Sequence, residues 1–421
     1  MTPVAALSSS TRIAVIGAGV VGLACAARLQ MRGHAVTLID PREPGTHCSS
    51  GNAGCLSRAS CVPLGLPGTW KKVPGWLLDP KGPLVIRPSY ALSIAPWLWR
   101  FRRNTTLERV NAIADALHAL LDGTVVKWRP LAEWAGVQEL IRQEGYAFAY
   151  RSEASFLGDA LGRELRRARG VKIDVLTGGA VREFDPALSP EITHLAVLPE
   201  QGHTPNPLRL SQALAARLRA GGAVFLQGEV GGFELSDGRI ARIVTDQGIV
   251  DADGIVVAAG AHSNALTSQL GTSVPLETER GYHVMLASPS VQPRIPTCAG
   301  EGKYFATPME GGLRIAGAVE FAGLAAEPNY GRADVLLGGA RRLLPGLAHG
   351  GVERWMGHRP SLPDSKPVIG RSPKVRNAYF AFGHGHVGLT GAPATAEIVA
   401  ALVAGETPAI DPRPFAADRF G

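Results

Sequence analysis

Residues 12–41 read RIAVIGAGVVGLACAARLQMRGHAVTLIDP. The apolar run from Ile13 to Ile16 predicts a buried strand, Val20 to Gln30 an amphipathic helix closed by Gly33, and Ala35 to Ile39 a second strand ending in Asp40. Gly17, Gly19 and Gly22 stand between the first strand and the helix at GxGxxG spacing. Such a unit makes a pyrophosphate site. The first glycine forms the tight turn, the second lets backbone approach the phosphates, and the third lets helix pack on strand. The unpaired N–H groups at the helix start, including Val20 and Val21, then face the anion. Asp40 stands where a ribose hydroxyl needs an acceptor, and an acid there argues against the 2′-phosphate of NADP. NAD and FAD remain.

The rest of the chain chooses between them. Asn206 and Pro207 predict a helix start and Gly221 its end, followed by a parallel strand in AVFLQGEV. Two hairpins turn at Asp237-Gly238 and Gln247-Gly248, and GIVVAAGAHS returns as a buried strand running into a small-residue turn at Ala259 and Gly260. A three-stranded antiparallel insert ahead of such a strand points to the FAD-binding variant of the dinucleotide fold. From Arg280 to Glu320 the pattern becomes antiparallel, as expected of a substrate lobe, and YFAFGHGHVGLTGAPATAEIVAALVAG closes the chain with strand, glycine–histidine turn and helix.

The 421 residues suffice for two or three lobes. The net charge of +7 is spread along the chain, and no helix-turn-helix, zinc or aromatic RNA-binding pattern accompanies it, which argues against nucleic acid as a partner. Five cysteines without a CxxC pair suggest reduced thiols in a reducing compartment and no metal site. The start MTPVAALSSST has neither cationic head nor apolar core, so a cytoplasmic location is expected. Trp70, Trp76, Trp97 and Trp99 beside Arg100, Arg102 and Arg103 make one segment a candidate for peripheral attachment to the inner face of a membrane; packing between lobes is the alternative.

Taken in order, GAGVVGLACAARL, SSGNAGCLS, VPGWLLDPKGPLVIRP, VVAAGAHSNAL, RGYHV, GHRPSLPDSKPVIG and GHGHVGLTGAPATAEIVAAL resemble the D-amino-acid oxidase-like superfamily of FAD-dependent oxidoreductases, above all D-amino acid and D-hydroxyproline dehydrogenases. The resemblance implies an α/β fold with a Rossmann-like, glutathione-reductase-type FAD domain (12–60, 205–275 and 352–421) and an inserted antiparallel-sheet substrate domain (61–204 and 276–351). It implies that Gly17, Gly19, Gly22 and Asp40 bind the ADP half of FAD, with Val230 beside the adenine. Ser50, Asn52, Ala53 and Gly54 are then expected at the flavin ring and ribityl chain. Gly385, His386, Val387, Gly388 and Leu389 are expected to present a helix start to the flavin N1/C2=O edge, where reduced flavin is anionic. Relatives that tether flavin do so through a late cysteine. None follows Cys298 here, so noncovalent FAD is expected.

Oxidation of an amino acid by hydride transfer from Cα to flavin N5 requires a cation for the carboxylate and a way to keep the amine neutral. Arg359 is the expected clamp, since guanidinium pairs bidentately with carboxylate. Tyr282 is expected to hydrogen-bond the same carboxylate, and His386 to accept an amine proton or polarise the substrate; His384, His203 and His358 are weaker candidates. The implied activity is catabolic oxidation of a D-amino acid, a cyclic one such as cis-4-hydroxy-D-proline included. Oxygen, a quinone or a partner redox protein would take the electrons. A glycine- or sarcosine-type amine oxidase and a flavin-bearing electron-transfer subunit are the alternatives.

Overall fold

The computed structural model describes residues 11–79 and 82–421, with the side chains of Lys72 and Leu78 also outside the description. The segment MTPVAALSSS and Pro80-Lys81 of the VPGWLLDPKGPLVIRP stretch thus lie outside the described residues.

Strands Arg12–Ile16 and Ala35–Asp40 flank the helix Val20–Met31 and pair in parallel, Ile13 with Val36 and Ile16 with Ile39. They sit inside a six-stranded sheet whose order is Val368–Arg371, Ala378–Phe382, Gly254–Val257, Arg12–Ile16, Ala35–Asp40, Val224–Gln227. Only the Val368–Arg371 edge strand runs antiparallel to its neighbour. Four-residue runs such as Gly254–Val257 are buried throughout, the signature of a sheet covered on both faces. One face carries Val20–Met31, Pro207–Ala220 and Gly388–Val403; the other carries the antiparallel strands Val230–Ser236, Arg239–Thr245 and Gly248–Asp251. Asn206 caps its helix by accepting from Arg209 N–H, and Asp237 and Gly238 both take positive φ, as a tight two-residue hairpin requires.

A second sheet runs Gly351–Ser361, Glu277–Ala287, Gly312–Phe321, Tyr304–Met309, Thr297–Ala299, Tyr146–Tyr150, His194–Leu198, Asp174–Thr177. It is mixed rather than wholly antiparallel: Thr297–Ala299 pairs in parallel with Tyr146–Tyr150, and Leu84–Ile86 with Gly312–Phe321. Along Glu277–Ala287 the side chains of Tyr282, Val284 and Leu286 enter a core shared with helix Gly331–Leu343. Glu279, Gly281 and His283 face the other way, toward the dinucleotide-binding sheet.

Two expected boundaries shift. Gly351–Ser361 belongs to the second sheet, because it pairs with Glu277–Ala287 along its whole length, so the return to the first sheet comes after Ser361 and not at residue 352. The helices Leu107–Leu121 and Thr124–Trp134, expected in the substrate domain, pack instead in the core of the first sheet against Gly388–Val403. Trp128 donates its indole N–H to Leu389 O at 2.9 Å there.

Candidate active site

Gly17 takes φ +109°, and a Cβ on it would lie 2.4 Å from Ala258 O; a Cβ on Gly22 would lie 1.9 Å from Gly17 O. The backbone of the turn, strand and helix therefore meets with no room for a side chain. A Cβ at Gly19, by contrast, would meet only Ser49 Oγ, at 3.2 Å. Val20 N–H donates to that same Oγ at 2.9 Å. Asp40 is fixed by two backbone donors, Ala18 N–H at 2.7 Å and Arg42 N–H at 2.9 Å. The cleft above these groups has a volume of about 760 Å³. Its lining includes Gly17, Gly19, Val20, Val21, Asp40, Asn52, Val230, Ala259, Gly260, Gly385, Gly388 and Leu389, all expected from the sequence. A helix start cradled by glycine, an acid at the strand end and a long cleft fit an extended dinucleotide. Asp40→Ala removes the anchor of Ala18 and Arg42 together, and should weaken FAD binding about tenfold or more. Titration of the apoprotein, followed by flavin fluorescence, checks this; unchanged affinity would remove Asp40 from the site.

Beyond Ser49 the chain forms a loop that the second sheet grips. Arg314 donates to Ser50 O at 2.8 Å and to Asn52 O at 2.6 Å, and His283 Nδ1 lies 3.2 Å from Gly51 O. Trp355 stacks on His283 with ring centres 4.9 Å apart and covers Gly51, where a Cβ would come within 2.2 Å of the indole. The Ser50 hydroxyl turns back to His47 O, and Gly54 N–H donates to Asn52 Oδ1 at 2.8 Å. Ser50, Ala53 and Gly54 thus shape the loop from outside the cleft lining, as Val387, 2% exposed, does for the Gly385 turn. His47, Cys48, Ser49, His262 and His358 do line the cleft. Of these the sequence offered His358 only as a weak candidate and the others not at all, although Ser49 is a second hydroxyl in the same quoted loop. His47 stacks on His358 at 6.0 Å, and burial, followed by nearby positive charge, brings both imidazoles down to about 4.

Arg359 projects from Gly351–Ser361 over Gly281, where a Cβ would come within 2.3 Å of its Cζ. Its Nη1 donates to Ala318 O at 3.1 Å and Nη2 to Gly317 O at 3.3 Å. Both carbonyls sit at a bulge in the pairing of Gly312–Phe321 with Glu277–Ala287, and Ala318 adopts φ +56°. That conformation is strained for a residue with a Cβ, and it turns two acceptors onto one guanidinium. Among the described residues no carboxylate lies within 4.0 Å of Arg359. His386 stands just before the Gly388–Val403 helix, exposed, and outside the cleft lining between Gly385 and Gly388, which do line it. Neighbouring protein groups that displace water, and then the charge of Arg359, lower its imidazole pKa and favour the neutral form. Its neighbour His384 is 3% exposed and lines the cleft, with its ring Nε2 held 2.9 Å from Thr395 Oγ1.

Tyr282 requires a correction. Its hydroxyl donates to buried Glu320 at 2.5 Å and accepts from Asn329 N–H at 3.1 Å, on the far face of the sheet. Both partners lie away from Arg359, so Tyr282 is a core residue and contributes nothing to a carboxylate site. His203 also belongs elsewhere, in the short pairing with Cys55.

Residues 12–402 match the DAO family, described as FAD dependent oxidoreductases. This chain belongs to that family. FAD is therefore its cofactor, and the glycine cradle and cleft have the shape and donors to fit it. Among curated relatives, a D-amino-acid oxidase of Bradyrhizobium diazoefficiens is 43% identical, the match covering 97% of this chain and 98% of the relative. A D-amino acid dehydrogenase of Rhizobium rhizogenes is 29% identical over 97% and 100%. Among solved structures, L-proline dehydrogenase from P. horikoshii superposes with a TM-score of 0.74 at 22% identity, covering 98% of each chain. Glycine oxidase from Geobacillus kaustophilus gives 0.73 at 23% identity, covering 97% and 99%. At these identities the structural likeness speaks for the fold.

Proposed function

We propose that the protein oxidises the Cα–N bond of a D-amino acid to the imine, cyclic D-imino acids such as cis-4-hydroxy-D-proline included. The observation that carries this reading is Arg359: a guanidinium held by two carbonyls, paired with no carboxylate among the described residues, and set between His358 and Pro360, which line the cofactor cleft. The D-configuration rests on the relatives' activities, including the D-amino-acid oxidase that is 43% identical. FAD, held without a covalent bond, supplies the hydride acceptor. Arg359 binds the substrate carboxylate and fixes the orientation of Cα. His386, unprotonated at neutral pH, accepts a hydrogen bond from the amine and gives its proton an exit to solvent. Desolvation, followed by the charge of Arg359, favours neutral His386, and the same two influences favour the uncharged amine.

Anaerobic titration of the holoprotein with paired D- and L-amino acids, D-proline and cis-4-hydroxy-D-proline tests the proposal. D-enantiomers should bleach the flavin band near 450 nm, about where any oxidised flavin absorbs. Bleaching by L-enantiomers alone, or by glycine and sarcosine alone, would overturn it. Admitting air afterwards separates oxygen from a quinone or partner protein as acceptor.

No helix among the described residues is long and apolar enough to cross a membrane. Peripheral contact is a further part of the proposal, with the protein on the cytoplasmic side. Leu92 is 90% and Trp99 58% exposed on the helix Ala91–Arg103, beside exposed Arg100, Arg102 and Arg103, whereas Trp97 is stacked inward on Phe101. Apolar tips among arginines suit an anionic bilayer face.

A further inference from the structure

Glu279 lies directly opposite Arg359 in the ladder between Glu277–Ala287 and Gly351–Ser361, and opposed residues of antiparallel strands share a face. Next along that face come Gly281 and Gly357, so nothing larger than hydrogen separates this pair from the Trp355–His283 stack. Glu279 is 4% exposed; burial raises its pKa, while Arg359 acts to keep it ionised. Its neighbour Ser361 is also 4% exposed; its hydroxyl, without a partner of good geometry among the described residues, is still close enough to Glu279 to favour the ionised carboxylate. That hydroxyl lies 3.5 Å from where a Cβ would stand on Gly385, in the turn that lines the cleft. Glu277 adds a second carboxylate beside Glu279, tied to the Tyr90 hydroxyl at 2.8 Å. The wall next to the guanidinium is therefore acidic. Yet neither acid closes onto Arg359 as a salt bridge, which leaves the arginine free to take an incoming anion.

We propose that Glu279 sets the charge selectivity of the substrate site: Arg359 accepts one substrate carboxylate, and Glu279, ionised opposite it, turns away a second. The inference rests on the reading of Arg359 as the clamp of a D-amino acid oxidising enzyme. Its physical basis is that like charges a few ångströms apart in a partly desolvated cleft repel far more strongly than in water. Discrimination by such a repulsive element needs no contact tailored to the favoured substrate. Neutral and basic D-amino acids are then the substrate class, and D-aspartate and D-glutamate are excluded.

The test compares isosteric pairs, D-glutamine with D-glutamate and D-asparagine with D-aspartate, by anaerobic flavin reduction of the holoprotein and of E279Q. The native protein should favour each amide over its acid by about 100-fold in kcat/KM, and E279Q should shrink that ratio by about tenfold or more. General damage to the clamp cancels in the ratio, so a merely structural role would leave it unmoved. Should E279Q fail to hold flavin, the native protein still decides through flavin spectral perturbation: succinamate should bind at least about tenfold more tightly than succinate. Equal affinities, or a ratio unchanged in E279Q while D-alanine still reduces the flavin, would overturn the role of Glu279 and leave Arg359 standing. If no D-amino acid reduces the flavin, the functional reading itself fails, and this inference with it.

Discussion

Arg359→Met should lower kcat/KM for a D-amino acid by about 1,000-fold, equivalent to about 4 kcal/mol of transition-state binding. The size follows from what is removed: a bidentate donor, already oriented by Ala318 O and Gly317 O, that makes charge-assisted hydrogen bonds to the substrate in an enclosed site. Methionine keeps much of the length and none of the charge. Arg359→Lys should recover only part of the loss, because a single ammonium cannot satisfy the two carbonyls and the two carboxylate oxygens together. Most of the effect should appear in KM, with a smaller fall in kcat as Cα loses its alignment. Flavin content should remain that of the native protein, since Arg359 contacts neither the glycine cradle nor Asp40. A loss below about tenfold with flavin retained would assign the substrate carboxylate to another cation.

The second large effect is on stability. Glu320, fully buried, receives Arg87 Nε at 2.8 Å, the Tyr282 hydroxyl at 2.5 Å and Arg280 Nη1 at 3.6 Å. Arg280, equally buried, also donates to Gly323 O and Glu327 O, so the cluster ties the 322–330 segment to the sheet. Glu320→Leu leaves the Arg280 charge without its buried counter-charge. Stranding one partner of such a pair costs about 3–5 kcal/mol. Urea denaturation of the holoprotein should show that loss at an m-value close to native. Glu320→Gln, which keeps one acceptor oxygen for Arg87 and can donate its NH2 to the Tyr282 hydroxyl, should lose less. A Glu320→Leu protein within about 1 kcal/mol of native would mean that the arginines find other acceptors.

The strand–helix–strand unit around Gly17, the Asn206 cap, the hairpin at Asp237-Gly238 and the terminal strand–turn–helix were legible because each is a local arrangement with its own residue signature. Arg359 was singled out by its residue type within GHRP, and its role as the clamp is part of the proposal. Tyr282 was misread because the face a strand residue takes depends on parity. A shift of one position exchanges the cleft for the core, and the anchors that set it, Glu320 and Asn329, lie 38 and 47 residues downstream. Glu279 was missed for the complementary reason. Its meaning comes from the partner strand Gly351–Ser361, and the register of strands so far apart in sequence is decided by the packed sheet. The helices Leu107–Leu121 and Thr124–Trp134 show the same limit: an apolar helix face does not say which core receives it.

The order of the first sheet also has a consequence in time. Arg12–Ile16 has Gly254–Val257 as a neighbour, which in turn leans on Ala378–Phe382, and the helix that covers all three begins only at Gly388. During synthesis the glycine turn emerges before its last partners, which follow some 370 residues behind it. At about 5–20 residues per second, that delay is on the order of 20–70 s. For that interval the nascent chain exposes an apolar strand pair that cannot yet hold a cofactor. Flavin capture is thus a late event, and a ribosome stalled before residue 388 carries a chain that flavin cannot rescue.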